Sequence, residues 1–396
     1  MPAVAEDAPL GRATRGAHCA APILAAMALL AAPGPARAVT VPPTIDADGS
    51  VDVTREIQRF VDSVPDGTTI RFPAHARYRI DGTLEWRDRR GITLDGNGAV
   101  LVATAHGDPY RAHLRLVDGR AWTIRRLRIR GANREGGQFD ADYQWQHGID
   151  LRGVDGARLD RVGISDVYGD AIYIGLSPIT QRWSRGISIR DSTGVRTGRM
   201  AIAVTAGRQV RVDGGTWSRP GLSTFDIEPN GAPGGADRIL IENAIIGPGS
   251  RHRALDIAGS GPVSNVTLRN SIFIGRALRV RVDEHLGRPR NIVVEHNVSW
   301  IPFKGPGAAM TFRNTDGVVV RGNMQVLDGG RTTVLIAAPG STRVDRSRQP
   351  TLYRERSVSA TMLQYAVGGA WLAAIALVAC RIRAVPAPRS TRRRRS

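Results

Sequence analysis

Between residues 147 and 313 a short alternating segment recurs: "GIDLRG", "AIYIGL", "AIAVTA", "TFDIEP", "ALDIAG", "LRVRVD", "AMTFRN". With Ile149, Ile172, Ile202, Phe225, Leu255, Val280 and Met310 as markers, the steps are 23, 30, 23, 30, 25 and 30 residues. A second strand-like segment follows each: "ARLDRVGI", "RGISIRDS", "RQVRVDGG", "RILIENAI", "NVTLRNSI", "NIVVEHNV", "GVVVRGNM". Self-similarity at a near-fixed period constrains the fold more than any other feature. Two strands per 23 to 30 residues are too few for a four-stranded propeller blade, and the helical stretches of βαβ units are missing. A chain that winds once per repeat fits, each coil stacking about 4.8 Å above the last in parallel sheets around an apolar interior. The class is all-β. Asn243, Asn270, Asn297 and Asn323, spaced 27, 27 and 26 apart, are expected to stack as one structural turn ladder.

An open coil stack needs a cover. "VDVTREIQRFVDSVPDGTTIRFP" places Val53, Ile57, Phe60, Val61 and Val64 at helical spacing, with Asp52 or Thr54 as N-cap and Pro65-Asp66-Gly67 as the stop. A capping helix is expected over 52–64.

The two ends differ from the middle. Residues 21–33 form a short apolar run preceded by Arg12 and Arg15 and followed by Ala36-Arg37-Ala38. That order is expected of a signal peptide, 1–38, cleaved after Ala38. Residues 357–380, "SVSATMLQYAVGGAWLAAIALVAC", carry no charge. As a helix they would extend about 36 Å, enough to cross a hydrocarbon core of about 30 Å. Seven arginines crowd residues 381–396, which places this basic tail in the cytoplasm and the body outside. The expected order is signal peptide 1–38, coil domain 39–340, polar tether 341–356, transmembrane helix 357–380 and tail 381–396. The alternative for 357–380 is a buried core helix.

The net charge of the 396 residues is +19, nearly all from arginine, with Lys304 the only lysine. The skew reads either as the coding bias of a GC-rich genome or as a surface suited to acidic polymers and anionic lipid heads. Cys19 and Cys380 both fall in the terminal segments, so the coil domain is held by packing and backbone pairing without a disulfide.

"DVTREIQRFVDSVPDGTTIRFPAHARYRI", followed by "GITLDGNGAVL" and the coil units, resembles right-handed parallel β-helix proteins of the pectate-lyase-like superfamily, among them polygalacturonases and polysaccharide lyases. The resemblance covers roughly residues 45–340. It implies a right-handed parallel β-helix with an N-terminal capping helix, and a polysaccharide as partner. No nucleic-acid partner is expected.

Residues two apart on a strand share a face. Phe225 and Ile227 then point inward with Leu255, Ile257, Val280 and Val282. Asp226 and Glu228 point out, about 7 Å apart. The outward column runs Asp150 and Arg152, Tyr173, Ala203 and Thr205, Asp226 and Glu228, Ala254 and Asp256, then Arg279, Arg281 and Asp283. Asp226 and Asp256 are expected one coil apart, near 5 Å, and Glu228 and Asp256 on a diagonal of about 8 Å. Stacked carboxyls repel, which raises one pKa and leaves another ionised, the division of labour of acid and base. Separations of about 6.5–9.5 Å suit inversion at a sugar and about 5 Å retention.

Three readings of this column stand side by side. The first is a sugar-cleaving site, with Asp256 or Glu228 as acid, Asp226 as base or nucleophile, and Arg281 gripping a substrate carboxylate. The second is an ion-paired surface, with Arg253, Arg279 and Arg281 neutralising the acids. The third is a Ca2+ site of Asp226, Glu228 and Asp256, including a lyase variant in which Arg281 would have to take a proton. A non-catalytic surface binding or scaffold module is the alternative to any enzyme. Further substrate contacts are expected from Tyr173, His252, Arg279, Arg281, Asp283, His147 and Trp145, the last and His147 from the long excursion 131–147. Trp183 and Trp217 are candidate stacking surfaces. Compared with polygalacturonases, the chain has no paired-aspartate strand and no Gly-His-Gly or Arg-Ile-Lys element, and His252 is only loosely like their histidine. "NTDG" at 314–317 reads as a turn.

Overall fold

The computed structural model describes residues 37–346 apart from 232, 249–252, 275–277, 284–287, 300–308 and 326–335. Three parallel sheets of 12, 10 and 10 strands run the length of the stack. Their arrangement is that of a right-handed parallel β-helix. One coil comprises His147–Arg152, Asp155–Asp160 and Gly163–Ser165, and each strand pairs only with its counterparts one coil above and below. Each coil thus holds three strands where the sequence pattern suggests two. Arg161 explains the difference: at φ 52° it bends the chain sharply between Asp160 and Gly163, inside what reads as one continuous segment. The same corner recurs in left-handed conformation at Arg126, Asp191, Gly214, Asn243, Asn270, His296 and Gly322.

Asn243 and Asn270 belong to this corner column. Asn297 and Asn323 sit one residue further on and form a different ladder, so the four asparagines occupy two columns. Successive backbone N–H groups donate to the next coil's side chain: Ala244 to Ser271 Oγ (3.2 Å), Ser271 to Asn297 Oδ1 (3.0 Å), Asn297 to Asn323 Oδ1 (3.1 Å). These donors are buried, so each bond prevents an unpaired N–H.

The interior follows the alternation. Phe225 pairs with Leu255, Leu255 with Val280 and Val280 with Met310, all buried. Trp217 is fully buried and meets Phe225 edge-on at 6.0 Å, so it is core and offers no stacking surface. Much of the arginine excess is spent on the 12-stranded sheet, where Glu242 takes Arg211 and Arg269, each at 2.7 Å, and Glu295 takes Arg321 at 2.7 Å. Asp316, in the "NTDG" turn, pairs with Arg343 at 3.0 Å.

The cap helix spans Thr54–Ser63, with Ile57 and Val61 buried. Val53 is the N-cap position; Asp52 lies one residue earlier and still accepts the Thr54 N–H at 3.0 Å. Gln58 pairs with the strand Leu84–Arg87 as a neighbouring strand would, its amide accepting from Glu85 N and donating to Glu85 O, both at 2.8 Å. The helix therefore satisfies the edge it covers.

Ala38–Thr40 forms a strand against Thr69–Arg71. Thr342–Asp345, at the start of the expected tether, forms a strand beside Asp316–Arg321 because Val344 continues the inward column of Val318. The expected signal segment up to residue 36, the rest of the tether, the 357–380 segment and the basic tail lie outside the described residues. Among the described residues no helix is long and apolar enough to cross a membrane.

Candidate functional site

The outward column lies on a 10-stranded sheet, and its register is direct. Asp150 pairs with Tyr173, Tyr173 with Ala203, Ala203 with Asp226, Asp226 with Asp256, and Asp256 with Arg281. The two central aspartates are 4% and 6% exposed, so this face is enclosed where the carboxyls sit. Glu228 and Arg281 are half-buried.

The aspartates differ in their partners. Asp256 receives a two-pronged grip from Arg281, Nε to Oδ1 at 2.6 Å and Nη2 to Oδ2 at 3.0 Å. Arg253 Nη1 and Ser223 Oγ each lie 3.4 Å from its Oδ2. Asp150 is likewise held, by Arg115 and Arg152, each at 2.9 Å. Asp226 has no ion pair among the described residues, and its Oδ2 is buried without a hydrogen-bond partner. Burial pushes its carboxyl well above the usual range, and the charges of Glu228, Asp256 and Asp170 push the same way, against Arg199.

Asp170 and Arg199 were not legible as site residues, yet both reach this group. They lie on turns that lead into the strands Ile172–Gly175 and Ile202–Val204. The available signal is the pair "GDA" and "GRM", a charge after glycine just ahead of successive strands, two residues before Ile172 and three before Ile202. Asp170 is fully buried; its Oδ1 accepts the Met200 N–H at 3.0 Å, while Oδ2 lies 3.6 Å from Arg199 Nη1 and 3.3 Å from His147 Nδ1. Burial raises its pKa to about 6 despite the pull of Arg199. Arg199 is 8% exposed, and among the described residues its Nε and Nη1 make no hydrogen bond.

His147 is fully buried and accepts the Asp170 N–H at Nδ1, 3.1 Å. Burial, then the charges of Arg199, Arg152 and Arg115, keep it neutral, well below its ordinary value. Its ring stacks on Tyr173 at 4.7 Å and 14°, and the Arg152 guanidinium lies 5.0 Å from the Tyr173 centroid. Tyr173 Oη is 2.8 Å from Thr205 Oγ1. The Tyr173 ring is thus engaged within the protein. Trp145, 38% exposed, keeps an open surface, with Arg199 5.2 Å from its centroid. Asp283 pairs with Arg281 at 3.2 Å. Arg279 is half-buried beside the group, and its backbone O accepts from Ala254 at 2.9 Å. His252 lies outside the described residues.

The Ca2+ reading meets a poor donor set. Asp256 is committed to Arg281, whose charge repels a cation, and among the described residues no group of three or more His, Cys, Asp or Glu converges as a cage. Arg281 also fits poorly as a base. Burial favours its neutral form, but its bonds to Asp256 and the charges of Asp256, Asp283 and Asp226 outweigh that and raise its pKa above the ordinary value.

No protein-family model matches the chain, and no curated protein sequence does. Among solved structures, the family 28 exopolygalacturonase of Yersinia enterocolitica superposes with a TM-score of 0.56 at 13% identity, covering 80% of this chain and 79% of that one. The surface adhesin PfbA of Streptococcus pneumoniae gives a TM-score of 0.48 at 11% identity, over 78% of this chain and 91% of the adhesin. An alginate lyase from Paenibacillus gives 0.45 at 16% identity, over 80% and 96%. At 13% identity the likeness to the exopolygalacturonase speaks for the fold alone, a parallel β-helix.

Proposed function

We propose that this chain is an extracytoplasmic, membrane-anchored β-helix protein that binds a polysaccharide and cleaves its glycosidic bonds by carboxylate acid–base chemistry. The observation that carries this reading is Asp226, a buried carboxyl with an unpartnered oxygen and a raised pKa beside a second, half-buried carboxylate, Glu228. The roles follow from the partners. Asp226 is the acid: it gives its proton to the bridging oxygen as the C–O bond breaks. Glu228 is the base: it takes a proton from the attacking water, so one water is consumed and the two carboxyls have exchanged protonation states. Asp256, gripped by Arg281, is a fixed negative charge that keeps Asp226 protonated. This reverses the assignment expected from the sequence, because Arg281 is spent on Asp256. Trp145 offers the sugar a flat apolar surface.

The shared fold with an exopolygalacturonase is consistent with a polysaccharide ligand. Export through residues 1–38 and anchoring through 357–380 belong to the same proposal, as does an acidic or cell-wall polymer, which suits the net charge of +19. A non-catalytic binding module is the second reading, favoured by the full commitment of Asp150 and Asp256 to arginines. A reducing-end assay of the full chain and Asp226→Asn on a panel of acidic polysaccharides decides. Hydrolysis predicts release by the parent and none by the variant; binding without release by either leaves the second reading.

A further inference from the structure

Past the C-terminal ends of the strands Ile172–Gly175 and Ile202–Val204, whose N-terminal turns carry Asp170 and Arg199, lies a cavity of about 360 Å3 lined by Gly153, Asp155, Arg182, Trp183, Arg185 and Arg208. It shares no residue with the carboxylate column. Its volume falls within the range of small-ligand sites.

Trp183 is fixed in place. Its Nε1–H donates to Pro233 O at 2.6 Å, and its six-membered ring lies where a side chain on Gly235 would be, since a Cβ there would come within 2.2 Å of the ring. The Arg208 guanidinium stands 5.5 Å from the indole centroid. Arg185 and Arg208 are lateral partners on adjacent strands, so two like charges are stacked at strand spacing. Asp155 is the only acid among the described residues of the lining, and it is taken by Arg185 at 2.9 and 2.6 Å. The acids nearest the other two arginines stand outside the lining. Arg208 Nε is 3.7 Å from Asp237, which also faces Arg238 at 3.3 Å. Arg182 is 3.4 Å from Asp118, which already accepts the hydroxyls of Ser177 and Thr180. The lining therefore holds three guanidinium groups against one carboxylate, beside a rigid aromatic wall.

We propose that this cavity is a second, non-catalytic binding site for an acidic sugar residue. The ring of the sugar lies against Trp183, and its carboxylate or sulfate is received by Arg208 and Arg182. The wall accounts for the sugar and the guanidinium excess for the anion; neither alone would need the other.

The test is a titration of the full chain carrying Asp226→Asn, followed by tryptophan fluorescence, with a uronic-acid oligosaccharide, a neutral oligosaccharide of equal length, and sodium sulfate. The acidic oligosaccharide is expected to give a saturable change that Trp183→Phe removes, and whose midpoint Arg208→Gln raises at least tenfold. An unchanged titration in Trp183→Phe overturns the site. An equal response to the neutral sugar overturns its charge selectivity, and an equal response to sulfate reduces it to a bare anion site. If Trp183→Phe fails to fold, Arg208→Gln decides alone, and an unshifted midpoint overturns the proposal.

Discussion

Asp226 and Asp256 are direct lateral partners on adjacent strands, and the surrounding arginines neutralise only Asp256. The pair is therefore asymmetric, one carboxylate fixed by arginine and one carboxyl whose pKa is raised by burial and by its acidic neighbours. A surface built only for ion balance would have paired both.

That asymmetry predicts opposite responses to the same chemical change. Asp226→Asn spares the folded state the protonation of a buried carboxyl and is expected to keep the fold and raise stability by up to roughly 1 kcal/mol. Asp256→Asn takes the two-pronged carboxylate partner from Arg281, leaving it Asp283 alone, and is expected to lower stability by roughly 1–3 kcal/mol. Denaturant curves of the two variants check this. A destabilised Asp226→Asn with full activity would sink the acid assignment.

Asp170 predicts a pH signature. Its pKa is about 6 in the folded chain against an ordinary value of 3.8. The folded state holds this proton more tightly, so the stability it brings is complete below about 3.8 and is lost as pH rises to about 6. The gap corresponds to about 3 kcal/mol at most. Other carboxylates act in the opposite sense: burial works to raise Asp95, but Arg126 and Arg125 hold it low, and its contribution is lost on acidification. The difference between parent and Asp170→Asn isolates the Asp170 share. Relative to the parent, the variant is expected to gain stability between pH 4 and 6.5; parallel profiles would refute the assignment.

Leu255 is fully buried beneath the Asp226–Asp256 face. Leu255→Asp places an unpaired carboxylate in the core at several kcal/mol, on the order of the stability of a domain. Soluble expression and thermal melting are expected to show an unfolded or aggregated chain. An unchanged melting temperature would contradict the strand register.

Anchoring through 357–380 predicts that a chain ending at Arg356 is released into the medium while the full chain pellets with membranes. Equal amounts of both in the soluble, cell-free fraction would remove the anchor from the proposal.

The face pattern was legible because strand alternation admits no compromise. Once Phe225 and Leu255 are inside, Asp226 and Asp256 must be outside and adjacent. Arg199 and Asp170 were hidden for the converse reason: they stand on turns, and nothing in a period of two says how a turn curls over a sheet. The third sheet was hidden by corners at Arg126, Arg161 and His296, where bulky residues adopt a conformation usually announced by glycine or asparagine. The side-chain engagement of Tyr173 depends on rotamers and neighbours from three coils, which no strand pattern encodes.

The recurring left-handed corner has one further consequence. From Arg126 to Gly322 successive coils turn at the same place, so a whole coil can be inserted or lost there without disturbing its neighbours, whereas a single residue added within a strand would turn its acids into the core. The length of the acidic face is therefore quantised. Descendants of this chain can lengthen that face only in steps of one winding, each adding about 4.8 Å.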